Sequence, residues 1–338
     1  MKTLICTQPG KFDYISARKP QLTKDHAIIK IKRIGICGTD LHAFEGTQPF
    51  FEYPRILGHE LAGELVAFND AAGFEIGEAV TIIPYFNCGD CLACRMEKPN
   101  CCSSIKVCGV HINGGMTEYL SVPSYSLVHG EGLSFDQLAL VEPLAIGAHG
   151  VGRASIHPRE NVLVVGAGPI GLATIEFARI AGGNVIVMDV NEDRLQFCKD
   201  NLEVVHTINA LSDDVIAQLG SLTNGEMPSV VMDCTGNLKA INRGFQYLSH
   251  GGRYVLIGLQ KGEICFSHPE FHKREATLMS SRNATRADFE KVSDALKSQE
   301  IDPGTFITHR VHFDQVKDEF EKWLDPSNHV IKAMVEME

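Results

Sequence analysis

A strand, a glycine-rich turn and a helix follow one another from residue 161. The segment Asn161–Val165 is apolar and rich in β-branched residues, and the apolar residues of Leu172–Ala181 have helical spacing. The turn between them reads GAGPIG (166–171), and a second apolar run, Asn184–Met188, follows the helix. This order predicts a βαβ unit and hence a parallel sheet.

The glycine-rich turn has the pattern of a dinucleotide-binding loop. Such glycines allow a tight turn and close approach of the backbone to a pyrophosphate, which faces the N-terminus of the following helix. The residues predicted to bind the cofactor are Gly166, Gly168, Pro169, Ile170 and Gly171.

A carboxylate at the end of the next strand selects the dinucleotide. Asp189 can accept hydrogen bonds from the adenosine ribose hydroxyls and would repel a 2′-phosphate, so we expect NAD in preference to NADP. Arg194, five residues further on, either stacks on the adenine or is a solvated helix charge.

The chain changes character near residue 155. Before it, short β-rich runs such as Ala27–Ile34 and Ala79–Ile83 are broken by Gly, Pro, Asn and Asp. After it, Ser229–Met232 and Arg253–Ile257 are predicted strands with a helix-like segment, Leu238–Leu248, between them. The apolar strands indicate an open parallel sheet that is buried on both faces.

Length and charge limit the classes of protein. A chain of 338 residues that is 44% hydrophobic and 22% charged is typical of two globular domains. A net charge of −11 argues against bulk binding to nucleic acid or to a membrane surface. No apolar run resembles a signal peptide or a membrane span, and we expect a cytoplasmic protein.

Four cysteines lie close together in the chain. They read C-x2-C-x2-C-x7-C in a segment with Gly and Pro, which favours a loop that can close a tetrahedron around Zn²⁺. The alternative is a set of buried or redox thiols. A site with four sulfur ligands has no open position and is therefore structural. The four predicted ligands are Cys88, Cys91, Cys94 and Cys102, with Cys101 as a rival for the last.

A second set of metal-binding side chains is scattered along the chain. Cys37 lies in GICGTDLH, His59 and Glu60 lie in LGHE, and Glu142 lies in VEPLA. One thiolate, one imidazole and one or two carboxylates can hold a metal and leave a position for water or a substrate oxygen. Taken singly, a cysteine among apolar residues is usually a core residue and a His-Glu dipeptide usually lies on the surface.

Together these motifs resemble the zinc-dependent medium-chain dehydrogenases over essentially the whole chain. GICGTDLH (35–42), GHE (58–60), the four-cysteine segment, EPLA (142–145) and GAGPIG occur in that family's order. The resemblance implies two zinc ions per chain, with Cys37, His59 and Glu60 as ligands of the catalytic one. Glu142, where the liver-type enzymes have a cysteine, is typical of the polyol and threonine branch, and binds directly or through water.

The same resemblance implies the catalytic roles. The zinc is a Lewis acid that lowers the pKa of the substrate hydroxyl. Thr39 corresponds to the family's hydroxyl relay and His42 to its outer base, although an ordinary surface histidine is the alternative. Asp40 is expected to accept the far N–H of His59 and to fix its tautomer.

The implied fold is α/β. A GroES-like, β-rich catalytic domain is expected over residues 1–150 and 280–338, with an amphipathic helix, Arg286–Lys297, and a final strand, Val330–Glu336. A doubly wound Rossmann domain with a parallel six-stranded sheet is expected over 151–279, and NAD binds there. The family also implies a homodimer or homotetramer in which Rossmann sheets pair edge to edge.

Other segments resemble the family's bacterial sugar-acid branch, which includes L-galactonate and L-gulonate 5-dehydrogenases and starvation-sensing dehydrogenase-like proteins. The matching segments are GTQPFFEYPRILGHE, GVHINGGMTEY and PEFHKREATLMSSRNAT. The implied substrate is a small polar molecule, a hexonate oxidised at C5, whose carboxylate requires a nearby cation. The predicted substrate residues are Arg282, Lys273 or Arg274, His111 and Asn283.

Rival functions remain at this point. A polyol dehydrogenase and an L-threonine 3-dehydrogenase share the same ligands. A non-catalytic regulatory relative is expected to lack one or more catalytic ligands, which are all present here. A zinc-containing nucleic-acid binder conflicts with the acidic charge.

Overall fold

The computed structural model describes residues 1–49, 51–69 and 73–337. It divides into two compact units, unit 1 with Met1–Glu142 and Thr285–Glu338, and unit 2 with Pro143–Ala284. The sequence predicted this discontinuous arrangement with boundaries at 150 and 280. In the structure the first boundary lies at residues 142 and 143, inside the long helix Phe135–Ala154.

The strands and helices are numbered here in chain order. The strands are β1 Lys2–Gln8, β2 Lys11–Ser16, β3 His26–Gly35, β4 Glu60–Phe68, β5 Ala79–Ile82, β6 Tyr85–Phe86, β7 Lys106–Val107, β8 Tyr119–Pro123, β9 Leu127–His129, β10 Asn161–Val165, β11 Asn184–Asp189, β12 His206–Asn209, β13 Val230–Asp233, β14 Arg253–Leu256, β15 Thr277–Ser280, β16 Ile307–His312 and β17 Lys332–Glu336. The helices are α1 Gly38–Glu45, α2 Leu92–Arg95, α3 Phe135–Ala154, α4 Pro169–Ile180, α5 Glu192–Asn201, α6 Val215–Leu222, α7 Leu238–Gly244, α8 His268–Lys273, α9 Arg286–Lys297 and α10 Val316–Glu319.

Unit 2 contains a six-stranded parallel sheet. The strand order is β12-β11-β10-β13-β14-β15, and each neighbouring pair is parallel. The central strand β10 carries Leu163 and Val165 into the core, where they pack with Met188 and Tyr254. The predicted Rossmann architecture is confirmed. Because all six strands run in the same direction, the loops that follow them all lie at the carboxyl ends of the strands, where ligands of such folds bind.

Unit 1 is built on a seven-stranded, mainly antiparallel sheet. Its order is β16-β17-β3-β4-β5-β9, and β8 also pairs with β3. In the register of this sheet Gly35 at the end of β3 lies between Glu60 of β4 and Met334 of β17. The sheet therefore brings together the end of β3, the start of β4 and strand β17.

The sequence did not locate strands β12 and β15, and it extended helix α7 to Leu248. Strand β15 is the edge of its sheet and three of its four residues are exposed, so it lacks the apolar pattern of a buried strand. Among the helices of the described residues, none combines the length and the apolar character that crossing a bilayer requires.

Candidate metal centres and cofactor site

The four predicted cysteines converge in a short lobe of unit 1. The Sγ atoms of Cys88, Cys91, Cys94 and Cys102 all lie within 4.8 Å of one another. Cys91 is the N-cap residue of helix α2 and Cys94 lies within that helix; their sulfur atoms are 3.5 Å apart, as are those of Cys88 and Cys102. In a tetrahedron with Zn–S bonds of about 2.3 Å, sulfur atoms are roughly 3.8 Å apart. The lobe therefore has the donor set and the spacing of a closed zinc site.

Backbone amides of the lobe stabilise its thiolates. Hydrogen bonds from the backbone around Cys94 and Ser103 lower the pKa of Cys91 to about 5. A hydrogen bond with Ser104, followed by backbone contacts, lowers the pKa of Cys88 to about 7. Cys101, the rival ligand, is exposed and does not belong to the sulfur group found among the described residues.

A second group of potential ligands forms at the end of strand β3. Cys37 precedes helix α1, His59 precedes strand β4 and Glu60 is the first residue of that strand. The ligand atoms of these three residues are within 4.8 Å of one another. His59 and Glu60 are buried. The three residues that the sequence proposed as ligands are thus brought together by the pairing of β3 with β4.

Asp40 fixes the backbone on both sides of this group. One carboxylate oxygen accepts a hydrogen bond from the Cys37 amide at 3.0 Å, and the other accepts one from the Gly58 amide at 3.0 Å. The distance from Asp40 Oδ1 to His59 Nδ1 is 3.8 Å, too long for the predicted hydrogen bond. His59 Nδ1 has no hydrogen-bond partner in the part of the chain that the structure describes.

The imidazole of His59 is surrounded by negative charge. Burial alone would lower its pKa, but the Asp40 carboxylate and the Cys37 thiolate raise the pKa of His59 well above its usual range. A group of anions around a buried imidazole favours a cation at this place. A thiolate, an imidazole and a carboxylate with room for a fourth ligand are the donors of catalytic zinc sites, so these residues fit the metal that the family implies.

Two residues that sequence reasoning missed hold the carboxylates of this site. Lys332 of β17 donates to both oxygens of Glu60, at 2.6 and 2.7 Å. Tyr85 of β6 donates its O–H to Glu142. A lysine inside the otherwise apolar strand pattern VIKAMVE was the available signal for Lys332. For Tyr85 no comparable signal exists in the sequence.

Glu142 lies outside the close group of three ligands but within reach of its charges. Burial raises the pKa of Glu142 to about 7, with the charge of His59 lowering it and that of Glu60 raising it. Burial and the Glu142 carboxylate also raise the pKa of Tyr85 well above its usual range. The Tyr85 proton is therefore held firmly at the hydrogen bond to Glu142.

The predicted proton relay lies on helix α1. Thr39 is half-buried, and His42, three residues later, shares its helix face. The His42 side chain is 61% exposed, and its Nδ1 lies 3.3 Å from Glu45 Oε2 and 3.2 Å from Thr47 Oγ1. The arrangement extends from a sheltered hydroxyl to a solvent-exposed base.

The glycine-rich loop in unit 2 has the tight geometry that its sequence predicts. Gly166 has φ +99, and a Cβ on Gly171 would lie 1.8 Å from the Gly166 carbonyl oxygen. Gly168 caps helix α4, and Pro169 is the first residue of that helix. No larger residue fits at position 171, so helix α4 can pack closely against the turn that follows strand β10.

Asp189 and Arg194 lie beside this loop. Asp189 ends β11 and accepts a hydrogen bond from the Ala167 amide at 2.6 Å. A Cβ on Gly168 would be 3.8 Å from Arg194 Nη1, so the guanidinium lies against the loop. Arg194 therefore lies next to the loop that is predicted to bind the cofactor.

The predicted substrate residues are dispersed. Arg282 and Asn283 follow β15, so they lie at the carboxyl ends of the strands, as does the glycine-rich loop. Lys273 precedes β15 and lies near the amino ends. Arg274, the alternative to Lys273, donates to Leu248 and Glu270. His111 belongs to unit 1, where its Nδ1 accepts the Val107 amide at 3.0 Å. These positions support Arg282 and do not support Lys273.

Two family models match the chain. The alcohol dehydrogenase GroES-like domain matches residues 23–131, and the zinc-binding dehydrogenase model matches residues 169–298. The first model covers most of the first segment of unit 1, and the second covers most of unit 2.

Relatives and solved structures match nearly the whole chain. L-galactonate-5-dehydrogenase from Escherichia coli K12 is 43% identical over 99% of this chain and 98% of its own. The crystal structure of the alcohol dehydrogenase rspB from E. coli CFT073, complexed with NADH, has a TM-score of 0.92 and 29% identity, covering 100% of this chain and 99% of that one. A putative zinc-binding dehydrogenase from Sinorhizobium meliloti 1021, bound to NADP, has a TM-score of 0.90 and 26% identity, covering 99% and 98%.

Proposed function

Because the chain belongs to the zinc-binding dehydrogenase family, we propose that it oxidises the C5 hydroxyl of a hexonate, such as L-galactonate or L-gulonate, to the 5-keto acid with NAD. The observation that carries the proposal is the convergence of Cys37, His59 and Glu60 within 4.8 Å. Near-complete coverage of an L-galactonate-5-dehydrogenase at 43% identity supports the substrate class.

Each of the two ligand groups is suited to one zinc ion. The four-sulfur lobe would hold a structural ion, since thiolates occupy all four positions. Cys37, His59 and Glu60 would hold the catalytic ion, with Glu142 beside it. A zinc ion there supplies a Lewis acid that lowers the pKa of the substrate hydroxyl.

The residues of helix α1 remove the proton of that hydroxyl. Thr39 would accept it through its own hydroxyl and pass it by way of the cofactor ribose to His42, whose ring is 61% exposed and releases it to solvent. NAD, held by the glycine-rich loop and Asp189, would supply the hydride acceptor for the C5 hydrogen, so that the alcohol would be oxidised to a ketone as NAD is reduced. Asp40 holds the backbone of Cys37 and that of Gly58 in place by accepting a hydrogen bond from each amide.

Asp189 supports NAD over NADP. Related structures contain either dinucleotide, so the cofactor follows from this chain's own residues. The Asp189 carboxylate lies beside the glycine-rich loop, where a 2′-phosphate would meet its negative charge. We expect a higher kcat/KM with NAD, and a higher value with NADP would contradict this assignment.

Arg282 is the proposed partner of the hexonate carboxylate. It is exposed, and it follows β15 at the carboxyl ends of the strands, where the glycine-rich loop also lies. A guanidinium binds a carboxylate through two parallel hydrogen bonds, which suits an anionic substrate of an acidic protein.

The test is a substrate panel with matched variants. NAD reduction is measured with L-galactonate, L-gulonate, sorbitol and L-threonine, and one of the hexonates should have the highest kcat/KM. Arg282→Ala should raise the KM for that hexonate much more than the KM for sorbitol. Lys273→Ala, which removes an exposed cation near the amino ends of the strands, is the control. A preference for sorbitol or threonine, or equal effects of Arg282→Ala on both substrates, would contradict the proposal.

A second copy of the chain is the expected partner. Strand β15 is the outer strand of the six-stranded sheet, and its Leu278 is 37% exposed. An outer strand with a partly exposed apolar side chain favours pairing with another such strand. Light scattering after gel filtration should give at least twice the 37.1 kDa of one chain, whereas a monomer would contradict the assignment.

A further inference from the structure

A buried ammonium group lies behind the ligands of the second metal centre. Lys332 is 2% exposed and Glu60 is 0% exposed. The ammonium donates to both Glu60 oxygens, at 2.6 and 2.7 Å, and to the Ile36 carbonyl oxygen at 3.1 Å. Its three N–H groups are therefore all satisfied by acceptors in the protein.

The backbone of β3 is shaped to allow this pair. A Cβ on Gly35 would lie 2.1 Å from Glu60 Oε2 and 3.0 Å from Glu60 Cβ. The Glu60 side chain thus occupies the space that any other residue at 35 would fill. The absence of a side chain at Gly35 is what lets the carboxylate lie between Lys332 and the ligand atoms of Cys37 and His59.

The charge of Lys332 acts on Glu60. The ammonium pairs with the Glu60 carboxylate at 2.6 Å, and both side chains are buried, so solvent screens this ion pair very little.

We propose that Lys332 is a positioning residue for the catalytic metal, holding the Glu60 carboxylate by both oxygens and drawing negative charge away from the ion. A carboxylate shared with an ammonium donates less charge to a metal than a free one. The metal is then held less tightly and polarises the substrate more strongly. This inference rests on a metal at Cys37, His59 and Glu60, but not on the identity of the substrate.

The test replaces the ammonium and measures metal binding without substrate. Lys332→Met keeps the length of the side chain and removes its charge. Affinity is measured for Co²⁺ by competition with a chelator, using the charge-transfer absorption that distinguishes a site with one sulfur ligand from one with four. We expect Lys332→Met to bind Co²⁺ at this centre about tenfold more tightly or better. Its kcat with the metal saturating should fall about tenfold, since the ion is a weaker Lewis acid.

Two further variants separate this role from a structural one. Lys322→Met removes an exposed lysine of the same unit, paired with Glu319, and should leave the Co²⁺ affinity unchanged. In a Glu60→Gln background, Lys332→Met should change the affinity by less than about twofold, because the charge that Lys332 shares is already absent. The double variant Glu60→Gln, Lys332→Met leaves neither charge of the buried pair without its partner, so it can be measured even if Lys332→Met alone does not fold.

Unchanged or weaker Co²⁺ binding by Lys332→Met would overturn the inference. So would an equal effect of Lys332→Met in the presence and absence of the Glu60 carboxylate. A chain that bound Co²⁺ as expected but oxidised none of the panel substrates would contradict the proposed function and leave the role of Lys332 intact.

Discussion

The two ligand groups of unit 1 are assembled in opposite ways. The four cysteines of the lobe lie between residues 88 and 102, and backbone amides of the same segment stabilise their sulfur atoms. The second centre draws on Cys37, His59 and Glu60 through strand pairing, and on Lys332 from near the end of the chain. The lobe can form from local chain geometry, whereas the second centre exists only when the sheet is complete.

This difference separates a structural role from a catalytic one. A closed shell of four sulfur ligands stabilises the chain around it and offers no position to a substrate. A buried centre of mixed ligands, with its carboxylates held by Lys332 and Tyr85, depends on the fold and has the donor set of a catalytic metal site. Changes in the lobe should therefore affect stability, and changes in the second centre should affect the reaction.

The largest expected effect is on the reaction, from Cys37→Ala. Loss of the thiolate leaves too few donors to hold the catalytic ion, so kcat/KM for the preferred alcohol should fall about a thousandfold or more, roughly 4 kcal/mol of transition-state stabilisation. Metal analysis should show one zinc per chain where the unaltered protein has two. Cys265→Ala, which changes an exposed cysteine of unit 2, is the control. Retention of two zinc ions and of activity would show that Cys37 is not a ligand.

The next effect is on stability, from Cys91→Ser in the lobe. The lobe zinc should be lost, and the free energy of unfolding should fall by about 4 kcal/mol, as is typical when a structural metal is removed. The kcat of the remaining folded protein should stay within about twofold, since the catalytic ligands are untouched. Thermal unfolding and zinc content measure the first effect, and steady-state kinetics the second.

Cys101→Ser is the matched control for this variant. Cys101 is exposed, is adjacent to Cys102 in the chain and lies outside the sulfur group of the described residues. It should keep both zinc ions and the stability of the unaltered protein. A loss of zinc in Cys101→Ser equal to that in Cys91→Ser would mean that the lobe uses a different fourth ligand.

A smaller effect is expected from Tyr85→Phe, which removes one hydroxyl from the second centre. Glu142 is buried and would lose its donor, a change that costs about 1–2 kcal/mol, or roughly tenfold in kcat/KM. Both zinc ions should remain, because Tyr85 is not itself a ligand. Tyr125→Phe, at an exposed tyrosine that precedes β9, should have no effect on kcat/KM. If Tyr85→Phe also leaves kcat/KM unchanged, the bond to Glu142 has no catalytic role.

The same contrast explains how far sequence reasoning reached. Spacing alone predicted the lobe, because its ligands are neighbours in the chain. The residues of the second centre could be named only through family motifs, since each is unremarkable by itself. Lys332 was missed because its role depends on the register of β3 with β4 and β17. Tyr85 was missed because it lies on β6, a two-residue strand outside that sheet. The parallel sheet of unit 2 was predicted from its apolar strands, but its exposed edge strand β15 was not.

The smallest expected effect comes from His42→Gln, at the exposed end of the proposed proton path. The ring is largely in solvent, so water and buffer can take over part of its work, and kcat at neutral pH should fall only about threefold to tenfold. Adding imidazole buffer should restore kcat in the variant and leave the unaltered protein unchanged. Glu45→Gln, which keeps His42 and removes a neighbouring charge at 3.3 Å, is the control and should need no rescue. A fall in kcat as large as that of Cys37→Ala, without rescue by imidazole, would mean that His42 helps to build the metal centre. The distinction between the buried ligands and the exposed proton path would then not hold.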